Sequence, residues 1–351
     1  MDTIKSRIIK AAQNLGFDAV GISKVQTAKY GDYFDQWLAD EKHGDMDWLA
    51  RNPERRKNVQ KLLPEAKSII VVALNYFVNG PSPAKTGGNQ GVVARYARGN
   101  DYHDLMQKML KEFACMIKEI GGDGIKARVA VDTSAVLERE FAQRAGLAWV
   151  GKSTMALNHH LGTWFFLGEI ITNLEIEAGT EATDHCGKCT RCIDACPTEA
   201  ITQPYRLDAR KCIAYLTIES KGDIPEEYRS KIGNRIFGCD DCLTVCPWNR
   251  FAKEAHAFKE VYRQDLEELF PQEILQMQKA DFTKRFSKTP IQRLGLERLQ
   301  RNAAVVLGNM GGEADRGFLN KIAVDHPSDM VRRHARWACQ EIKKRMDGIQ
   351  E

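Results

Sequence analysis

Apolar and polar positions alternate between two spacings in the first half of the chain. From residue 4 to residue 15 apolar side chains recur at helical spacing, and the glycine that follows marks a helix end. Residues 68–74 form a nearly continuous apolar, β-branched run, which is typical of a buried central strand. A shorter strand is predicted at 127–131, directly before Asp132. Because helix and strand signals alternate up to about residue 175, we expect an α/β (or α+β) domain at 1–175.

Different patterns follow in the second half. Cysteines dominate from 186 to 246, and beyond Pro271 the apolar spacing is helical throughout. Amphipathic, basic helices are predicted at 291–307 and 330–344, and the turn signals between them resemble paired-helix repeats of the HEAT type. The sequence therefore predicts two further domains, a ferredoxin-like domain at 176–260 and an all-α, HEAT-like helical domain at 261–351.

Composition indicates a globular protein without a membrane segment. Of 351 residues, 43% are apolar and 28% are charged, and no run of 18 uncharged apolar residues occurs. The N-terminus lacks the apolar core of a signal peptide, so we expect a cytoplasmic protein that does not bind membranes. The net charge of +4 is uneven, because residues 281–345 contain 14 Lys and Arg against 7 Asp and Glu. This excess indicates that the C-terminal part contacts a polyanion.

Eight of the ten cysteines follow the spacing of iron–sulfur proteins. The first group is the ferredoxin run of four, in which the last cysteine, followed by proline, binds the other cluster. The second group repeats the last three positions of that run, and the isolated Cys212 supplies the missing thiolate. We therefore predict two [4Fe–4S] clusters: cluster one bound by Cys186, Cys189, Cys192 and Cys246, and cluster two bound by Cys196, Cys212, Cys239 and Cys242.

Other interpretations of the cysteines are less favoured. Paired CxxC motifs also bind zinc, but zinc does not require a crossed arrangement with two Cys-Pro turns. The two remaining cysteines, Cys115 and Cys339, lie on helical patterns and are predicted to be small buried side chains. Two clusters alone would make the chain an electron carrier, but the 175 or so residues before them exceed what a ferredoxin needs.

Further motifs extend over nearly the whole chain and carry a resemblance to a known family. They are the runs 62–68 (LLPEAKS), 95–103 (RYARGNDYH), 131–139 (VDTSAVLER), 146–152 (GLAWVGK), 162–169 (GTWFFLGE), 212–219 (CIAYLTIE) and 301–309 (RNAAVVLGN). With these motifs the sequence resembles the epoxyqueuosine reductases, which are cobalamin-dependent iron–sulfur enzymes of tRNA modification.

This resemblance implies a reaction and its cofactors. The epoxide of epoxyqueuosine at the tRNA wobble position would be reduced to give queuosine. Cobalamin, held base-off, would receive electrons from the two clusters. The alternative is a reductive dehalogenase, because that sister family also joins cobalamin to two clusters. The chain lacks the twin-arginine export signal expected of a dehalogenase, and its basic helical tail would have no role there.

The resemblance also implies candidate residues for catalysis and cofactor binding. Asp132 would protonate the opening epoxide, a role that needs a raised carboxyl pKa. Since Asp-Thr-Ser is a strong capping sequence, a helix N-cap is the alternative for Asp132. Asp101, Tyr102 and His103 are expected either to line the substrate pocket or to cap the following helix. The implied contacts of the cobalamin are Arg56, Ala94, Asp132, Lys152, Ser153 and Tyr215.

Basic residues on the C-terminal helices are the candidates for RNA binding. Several of them are three or four residues apart and so share a helix face, which suits contacts with phosphates. A solvated surface is the alternative. The candidates are Arg293, Arg298, Arg301, Arg332, Arg333 and Arg336. The implied partners are a tRNA that carries epoxyqueuosine and a low-potential electron donor, and we expect a monomer.

Overall fold

The computed structural model describes residues 3–80, 90–132 and 134–348. Its helices are α1 Ile4–Asn14, α2 Gly31–Ala39, α3 Asp47–Ala50, α4 Pro53–Lys57, α5 Tyr102–Gly121, α6 Glu138–Arg144, α7 Arg191–Asp194, α8 Ile213–Ile218, α9 Glu226–Ile232, α10 Asp241–Thr244, α11 Pro271–Gln276, α12 Lys279–Phe286, α13 Leu296–Met310, α14 Glu313–Asp325 and α15 Asp329–Asp347. Its strands are β1 Ala19–Lys24, β2 Ser68–Asn75, β3 Gly91–Val93, β4 Ala127–Ala130, β5 Trp149–Val150, β6 Ala156–Leu157, β7 Phe165–Thr172, β8 Ile201–Gln203, β9 Arg206–Leu207, β10 Arg235–Phe237 and β11 Glu268–Leu269. Within the described ranges, no helix combines the length and apolar character that crossing a membrane requires.

The largest sheet has the strand order β1-β2-β7-β4, and every neighbouring pair is antiparallel. All eight residues of β2 are buried, which explains the continuous apolar run in the sequence. The predicted mixed α/β class is confirmed. The antiparallel order means, however, that the alternation of helices and strands does not come from parallel β-α-β units.

The sheet brings one helix start and one strand end together. Helix α5 buries an apolar face against β4 and β7. Its first turn begins at Tyr102, and β4 ends at Ala130, two residues before Asp132. Because α5 crosses this edge of the sheet, residues 101–103 and Asp132 lie side by side, as the hydrogen bonds below show.

Packing joins the three predicted segments of the chain. Strand β3 lies between β10 and β11 in a second sheet, so each predicted domain contributes one strand. The largest apolar core likewise contains Val93, Phe237 and residues of α13 and α15. The boundaries at 175 and 260 stay a prediction, and the contacts across them form continuous cores.

The C-terminal part is helical, as predicted. Helix α15 packs against both α13 and α14, and turns at Gly311 and His326 separate the three helices. The predicted helix at 291–307 begins later, at Leu296, because Gly295 adopts a left-handed backbone with φ 82°. Residues 290–293 instead form a 3₁₀ turn beside the active site.

Arg301 joins these helices to the segment that carries Cys212. Its side chain is fully buried on α13. Its guanidinium donates to the carbonyl oxygens of Leu216, Ser220 and Gly222 at 2.7, 2.9 and 2.6 Å. The prediction that Arg301 contacts RNA is therefore wrong, because a buried guanidinium that binds the protein's own backbone has no surface to offer a phosphate.

Replacing Arg301 by Ala should lower the free energy of unfolding by about 3 kcal/mol or more, because it leaves buried carbonyl groups unpaired and opens a cavity. The matched control is Arg333→Ala. Arg333 links α15 to the same loop through an ion pair with Asp223, and the two side chains are 49% and 34% exposed. Such a pair contributes about 0–1 kcal/mol. The measurement is the urea midpoint of the anaerobic holoenzyme, and equal losses in both variants would contradict a buried anchor at Arg301.

Candidate active site

Asp132 lies on the loop that follows β4, and its side chain is 56% exposed. Its φ is 30°, in the left-handed region that non-glycine residues seldom adopt. Helix α6 begins only at Glu138, and its N-cap position is Leu137, which makes no side-chain cap. The helix-cap interpretation of Asp132 is therefore wrong.

Side chains from the first turn of α5 hold the Asp132 carboxylate. The Tyr102 hydroxyl donates to Oδ2 of Asp132 at 2.8 Å, and Nε2 of His103 lies 2.9 Å from the same oxygen. On the other side of the ring, Nδ1 of His103 lies 2.7 Å from Oδ1 of Asp101. Arg293 donates to the second oxygen of Asp101 at 2.6 Å. The result is a continuous chain of charged groups that ends at an exposed carboxylate.

Asp101 has both of the functions that the sequence left open. It is the N-cap of α5, because its side chain accepts the backbone N–H of His103 at 3.0 Å. It also orients the imidazole ring of His103, since it binds Nδ1 and leaves Nε2 facing Asp132. The cap therefore fixes the helix start and the direction of the ring together.

The charges of this chain place its proton on His103. Burial alone would lower the pKa of His103, but the hydrogen bonds to Asp101 and Asp132 outweigh it and raise the pKa to about 9. Burial would raise the pKa of Asp132, but the hydrogen bonds from His103 and Tyr102 outweigh it and the pKa is lowered. The expectation of a raised pKa for Asp132 is therefore wrong in this structure. At neutral pH the pair is an imidazolium and a carboxylate.

Arg56 is bonded to the loop that carries Asp132. It is buried, and its guanidinium donates to the backbone carbonyl oxygens of Ser134 at 3.4 Å and Trp48 at 3.2 Å. Its Nε is enclosed and has no hydrogen-bond partner among the described residues. Arg56 thus braces the segment that carries Asp132 and retains one donor for a ligand.

The other predicted contacts of the cobalamin occupy two places. Ala94 is buried, and it packs so closely on Gly238 that a Cβ added to this glycine would lie 2.6 Å from the Cβ of Ala94. The Tyr215 hydroxyl accepts the backbone N–H of Asp45 at 2.8 Å. Lys152 and Ser153 line the pocket formed by the cluster-one cysteines, as described next. The cobalamin contacts of these four residues stay predictions.

The cysteines fall into two groups in space. Cys186, Cys189, Cys192 and Cys246 line a common pocket, into which Cys242 also reaches. Burial and then the thiols of Cys186, Cys192 and Cys189 raise the pKa of Cys246 to about 11. In the second group, burial and then the thiols of Cys239, Cys212 and Cys196 raise the pKa of Cys242 well above its usual value. The two groups coincide with the crossed sets that the spacing predicts.

The spacing expected around a cluster differs from that around a single ion. In a [4Fe–4S] cluster each thiolate binds a different iron, so the thiolates stand further apart than around zinc. Lys152 supports the first group, because its Nζ donates to the carbonyl oxygens of Gly187 at 2.6 Å and Cys189 at 3.0 Å.

The two cysteines outside the groups differ in burial. Cys339 packs partly buried against the helical core, whereas Cys115 is exposed on α5, so the prediction that Cys115 is buried is wrong. Helix α5 is amphipathic, and Cys115 falls on its solvent side between the buried Ala114 and Ile117.

The remaining arginines predicted to bind RNA also have partners inside the protein. Arg293 belongs to the charged chain at the active site. Arg298 and Arg336 donate to backbone carbonyl groups, and Arg332 and Arg333 form ion pairs with nearby aspartates. Four of the six candidates, counting Arg301, thus bind residues before 261 and join the C-terminal helices to the rest of the chain.

Sequence reasoning missed three acidic side chains near Asp132. Glu169, in the middle of β7, is fully buried, and its two carboxyl oxygens have no partner among the described residues. Glu138 begins α6 beside Asp132, and Glu219 lies close enough for the Asp132 charge to affect its pKa. All three fall inside the motifs that carry the resemblance. Glu169 is fully buried and the other two are half-buried, an arrangement that depends on the sheet and leaves no local signal.

Two family models match the chain. A model described as "4Fe-4S double cluster binding domain" matches residues 185–249, which contain all eight predicted cluster ligands. A model described as "Epoxyqueuosine reductase QueG, DUF1730" matches residues 56–133, from Arg56 to just past Asp132.

Curated relatives are similar over almost the full length. The epoxyqueuosine reductase of Xanthomonas campestris pv. campestris is 43% identical over 337 residues, which cover 95% of this chain and 94% of the relative. The epoxyqueuosine reductase of Pseudomonas aeruginosa is 40% identical, and the match covers 93% of this chain and 91% of the relative.

Solved structures of the same kind superpose closely. Epoxyqueuosine reductase from Streptococcus thermophilus has a TM-score of 0.88 at 30% identity and covers 98% of this chain and 91% of its own. An epoxyqueuosine reductase solved with a tRNA-Tyr epoxyqueuosine-modified stem loop has a TM-score of 0.87 at 30% identity, and the match covers 97% of this chain and 90% of the other. A Bacillus subtilis structure, with its catalytic aspartate loop swung out of the active site, has a TM-score of 0.86 at 30% identity, and the match again covers 97% of this chain and 90% of the other. A reductive dehalogenase reaches only 0.40 at 15% identity and covers 37% of its own length, which gives that alternative no support.

Cys212→Ala should remove about half of the iron, because only cluster two uses this thiolate in the crossed assignment. The matched control is Cys115→Ala, which replaces an exposed cysteine outside both groups. This variant should retain all of its iron. Iron and acid-labile sulfide are measured on anaerobically purified protein. Full iron content in the Cys212 variant would show that another residue completes cluster two.

Proposed function

The chain belongs to the epoxyqueuosine reductase family, and from this premise we propose that it reduces the epoxide of epoxyqueuosine in tRNA to the alkene of queuosine. The observation that carries the proposal is the exposed Asp132 carboxylate, held by Tyr102 and by the His103 imidazolium. Opening an epoxide requires a proton at the oxygen that leaves carbon, and this chain of groups connects the protonated His103 to an exposed carboxylate at the surface of the site. A tRNA-modifying enzyme would act in the cytoplasm, where its substrate is.

Two [4Fe–4S] clusters and cobalamin are the cofactors that this reaction calls for. The residues present suit the cobalamin: Arg56 has an enclosed donor without a partner, and the small Ala94 packs directly on Gly238. A low-valent cobalt would supply electrons to the epoxide, while the protein supplies orientation and protons. Arg56, Ala94, Lys152, Ser153 and Tyr215 would hold the cofactor beside Asp132.

Electrons would enter at cluster one and leave at cluster two. Arg191 and Arg250 line the cluster-one pocket, and both residues are exposed. A low-potential one-electron donor can approach the pocket from this side. Cluster two would lie near the site. Cys239 and Tyr96 pack against the same apolar core, and the ring of Tyr96 meets that of Tyr102 edge-on at 6.0 Å between centroids. The crossed ligand sets hold the two clusters close together.

Proton transfer follows from the charges of the site. His103 holds the proton, and Asp132 lies between His103 and the exposed side where the substrate would bind. As negative charge develops on the epoxide oxygen, the proton would pass from His103 through Asp132 to that oxygen. In the Bacillus subtilis relative the corresponding loop swings out of the active site, which supports a loop that moves as the substrate enters.

Asp132→Asn should retain both clusters and bind cobalamin, while turnover falls by about 10²-fold or more, because an amide cannot pass a proton. The control is Asp104→Asn, which changes an exposed carboxylate two positions past the start of α5. Turnover is measured by chromatography of nucleosides from tRNA treated with the reduced enzyme. Near-normal turnover in the Asp132 variant would remove its catalytic role.

We also propose that RNA phosphates bind a basic strip next to the active site, formed by Lys279, Lys284 and Lys288. All three residues are exposed, and none forms an ion pair with another described residue. Helix α12 buries Phe282 and Phe286, which places Lys284 on its opposite, solvent side, while Lys279 is its first residue and Lys288 follows its end. These lysines are therefore available charges, in contrast to the arginines further along the chain.

The basic strip is connected directly to the active site. The carbonyl oxygen of Lys288 accepts the backbone N–H of Asp101 at 2.7 Å, and Arg293 then binds the Asp101 carboxylate. A strand held by the strip would thus pass beside the residues that hold Asp132. The relative solved with an epoxyqueuosine-modified stem loop supports an RNA of this kind as the substrate.

Replacing Lys284 and Lys288 together by Ala should weaken tRNA binding and make its dependence on log salt shallower by about one to two units, since each neutralised phosphate releases counterions. The matched control removes two exposed charges from α15, Lys343 and Lys344, and should leave affinity and slope nearly unchanged. Binding is measured at several salt concentrations. Equal losses in both double variants would show that the strip has no special role.

A further inference from the structure

The proposed reaction consumes two protons in each turnover. Both carbon–oxygen bonds of the epoxide break, a carbon–carbon double bond forms, and the oxygen leaves as water. Two electrons come from the low-potential donor through the clusters, and two protons must reach the oxygen. The chain of charged groups through His103 supplies one of them, so the site needs a second source.

His103 can release only one proton before it is refilled. Its imidazolium lies between two carboxylates, with Nδ1 bound to Asp101 and Nε2 bound to Asp132. The second nitrogen keeps its proton, because it donates to Asp101, whose other oxygen binds Arg293. The Tyr102 hydroxyl is a weak acid here, since burial and the Asp132 charge raise its pKa far above the usual range.

Glu138 lies on the other side of Asp132. It begins α6, six residues after Asp132, and the Asp132 charge acts on its carboxyl. Its Oε1 is enclosed and has no hydrogen-bond partner in the described part of the chain. An ionised carboxylate with an enclosed, unpaired oxygen is unfavourable, and the neutral acid relieves this cost.

Glu169 makes ionisation of Glu138 still harder. It is fully buried, and both of its oxygens lack a partner within the described ranges. Asp132, Glu138 and Glu169 thus form a group of three carboxyls whose negative charges oppose one another, and burial raises the pKa of both glutamates. Three carboxyls in this arrangement do not all ionise, and Asp132 is the one with cationic partners.

Several charged groups of the described residues act on Glu138. Arg139 opposes protonation of Glu138, but it is exposed, and its guanidinium donates to the carbonyl oxygen of Thr154 at 2.6 Å. Arg56 is bonded to backbone carbonyl groups. The titratable and charged groups that face Glu138 are Asp132, Glu169, Arg139, His103, Arg56 and Tyr102.

We infer that Glu138 is a proton reserve that supplies the second proton of each turnover through Asp132. The first proton passes from His103 through Asp132 to the epoxide oxygen and gives a hydroxyl group as the first carbon–oxygen bond breaks. Glu138 then gives its proton to Asp132, which delivers it to the hydroxyl as the second bond breaks and water leaves. Afterwards His103 and Glu138 are refilled from solvent. The inference rests on the proposed function.

The test compares Glu138→Gln with Glu138→Asp and with the control Glu112→Gln. Glu112 is an exposed glutamate on α5, so its replacement removes a carboxylate charge without removing a buried contact. The first measurement is kcat and KM on an epoxyqueuosine-bearing stem loop over a range of pH. The second is the infrared spectrum of the holoenzyme without substrate, in which a carboxylic-acid carbonyl band disappears as pH rises.

We expect Glu138→Gln to lower kcat by about 10-fold or more, to leave KM unchanged, and to lose one alkaline limb of the pH profile and one carboxylic-acid band. The Asp variant should retain a limb and a band at shifted positions, and the Glu112 control should match the wild type. If Glu138→Gln does not fold, the shifted limb and the shifted carboxylic-acid band of the Asp variant test the inference instead.

Other outcomes would overturn the inference. A wild-type profile in Glu138→Gln would exclude a reserve, and a uniform loss of kcat with an unchanged profile would reduce Glu138 to a support for the loop. If the wild type did not reduce epoxyqueuosine at all, the proposed function would fail. The infrared band would then still show whether Glu138 holds a proton.

Discussion

The ionic hydrogen bond between the His103 imidazolium and the Asp132 carboxylate is the contact on which the active site depends. It joins the first turn of α5 to the loop after β4, two elements that only the sheet brings together. Because it lowers the pKa of Asp132 and raises that of His103, one residue stores the proton and the other delivers it. The same bond offsets part of the free-energy cost of the left-handed backbone at Asp132, which is on the order of 1–3 kcal/mol.

Local patterns predicted the elements and the cysteine grouping well. The run at 68–74 became β2 with one further residue, and the helix expected after Asp101 became α5. The cysteine spacing also predicted two groups of thiols that lie near one another, and their assignment to two clusters stays a prediction. What the sequence could not show depends on contacts between distant positions. The pKa of Asp132 is lowered by His103, 29 residues away, and the sheet order sets that contact.

The C-terminal helices show why a count of charges misplaces a binding surface. A guanidinium has five donors in a flat fork, so arginine can satisfy several backbone carbonyl groups at once, as Arg301 does. A lysine ammonium is compact and strongly hydrated, and Lys284 and Lys288 stay in solvent. The spacing of arginines along a helix looks the same in both situations. Only the packing of α13 against the segment after Cys212 separates structural cations from available ones.

The second sheet has a consequence for how the protein is made. Strand β3, at residues 91–93, pairs with β10 on one side and β11 on the other, so three remote parts of the chain must meet. Strand β10 ends two residues before Cys239, a thiol of the second group. During synthesis, this sheet is incomplete until residues 268–269 have left the ribosome, and contacts of such long range form late. Until then the segment that leads into Cys239 lacks the complete sheet that holds it in the finished protein. A strand that contains no cysteine thus completes the support of a predicted cluster ligand.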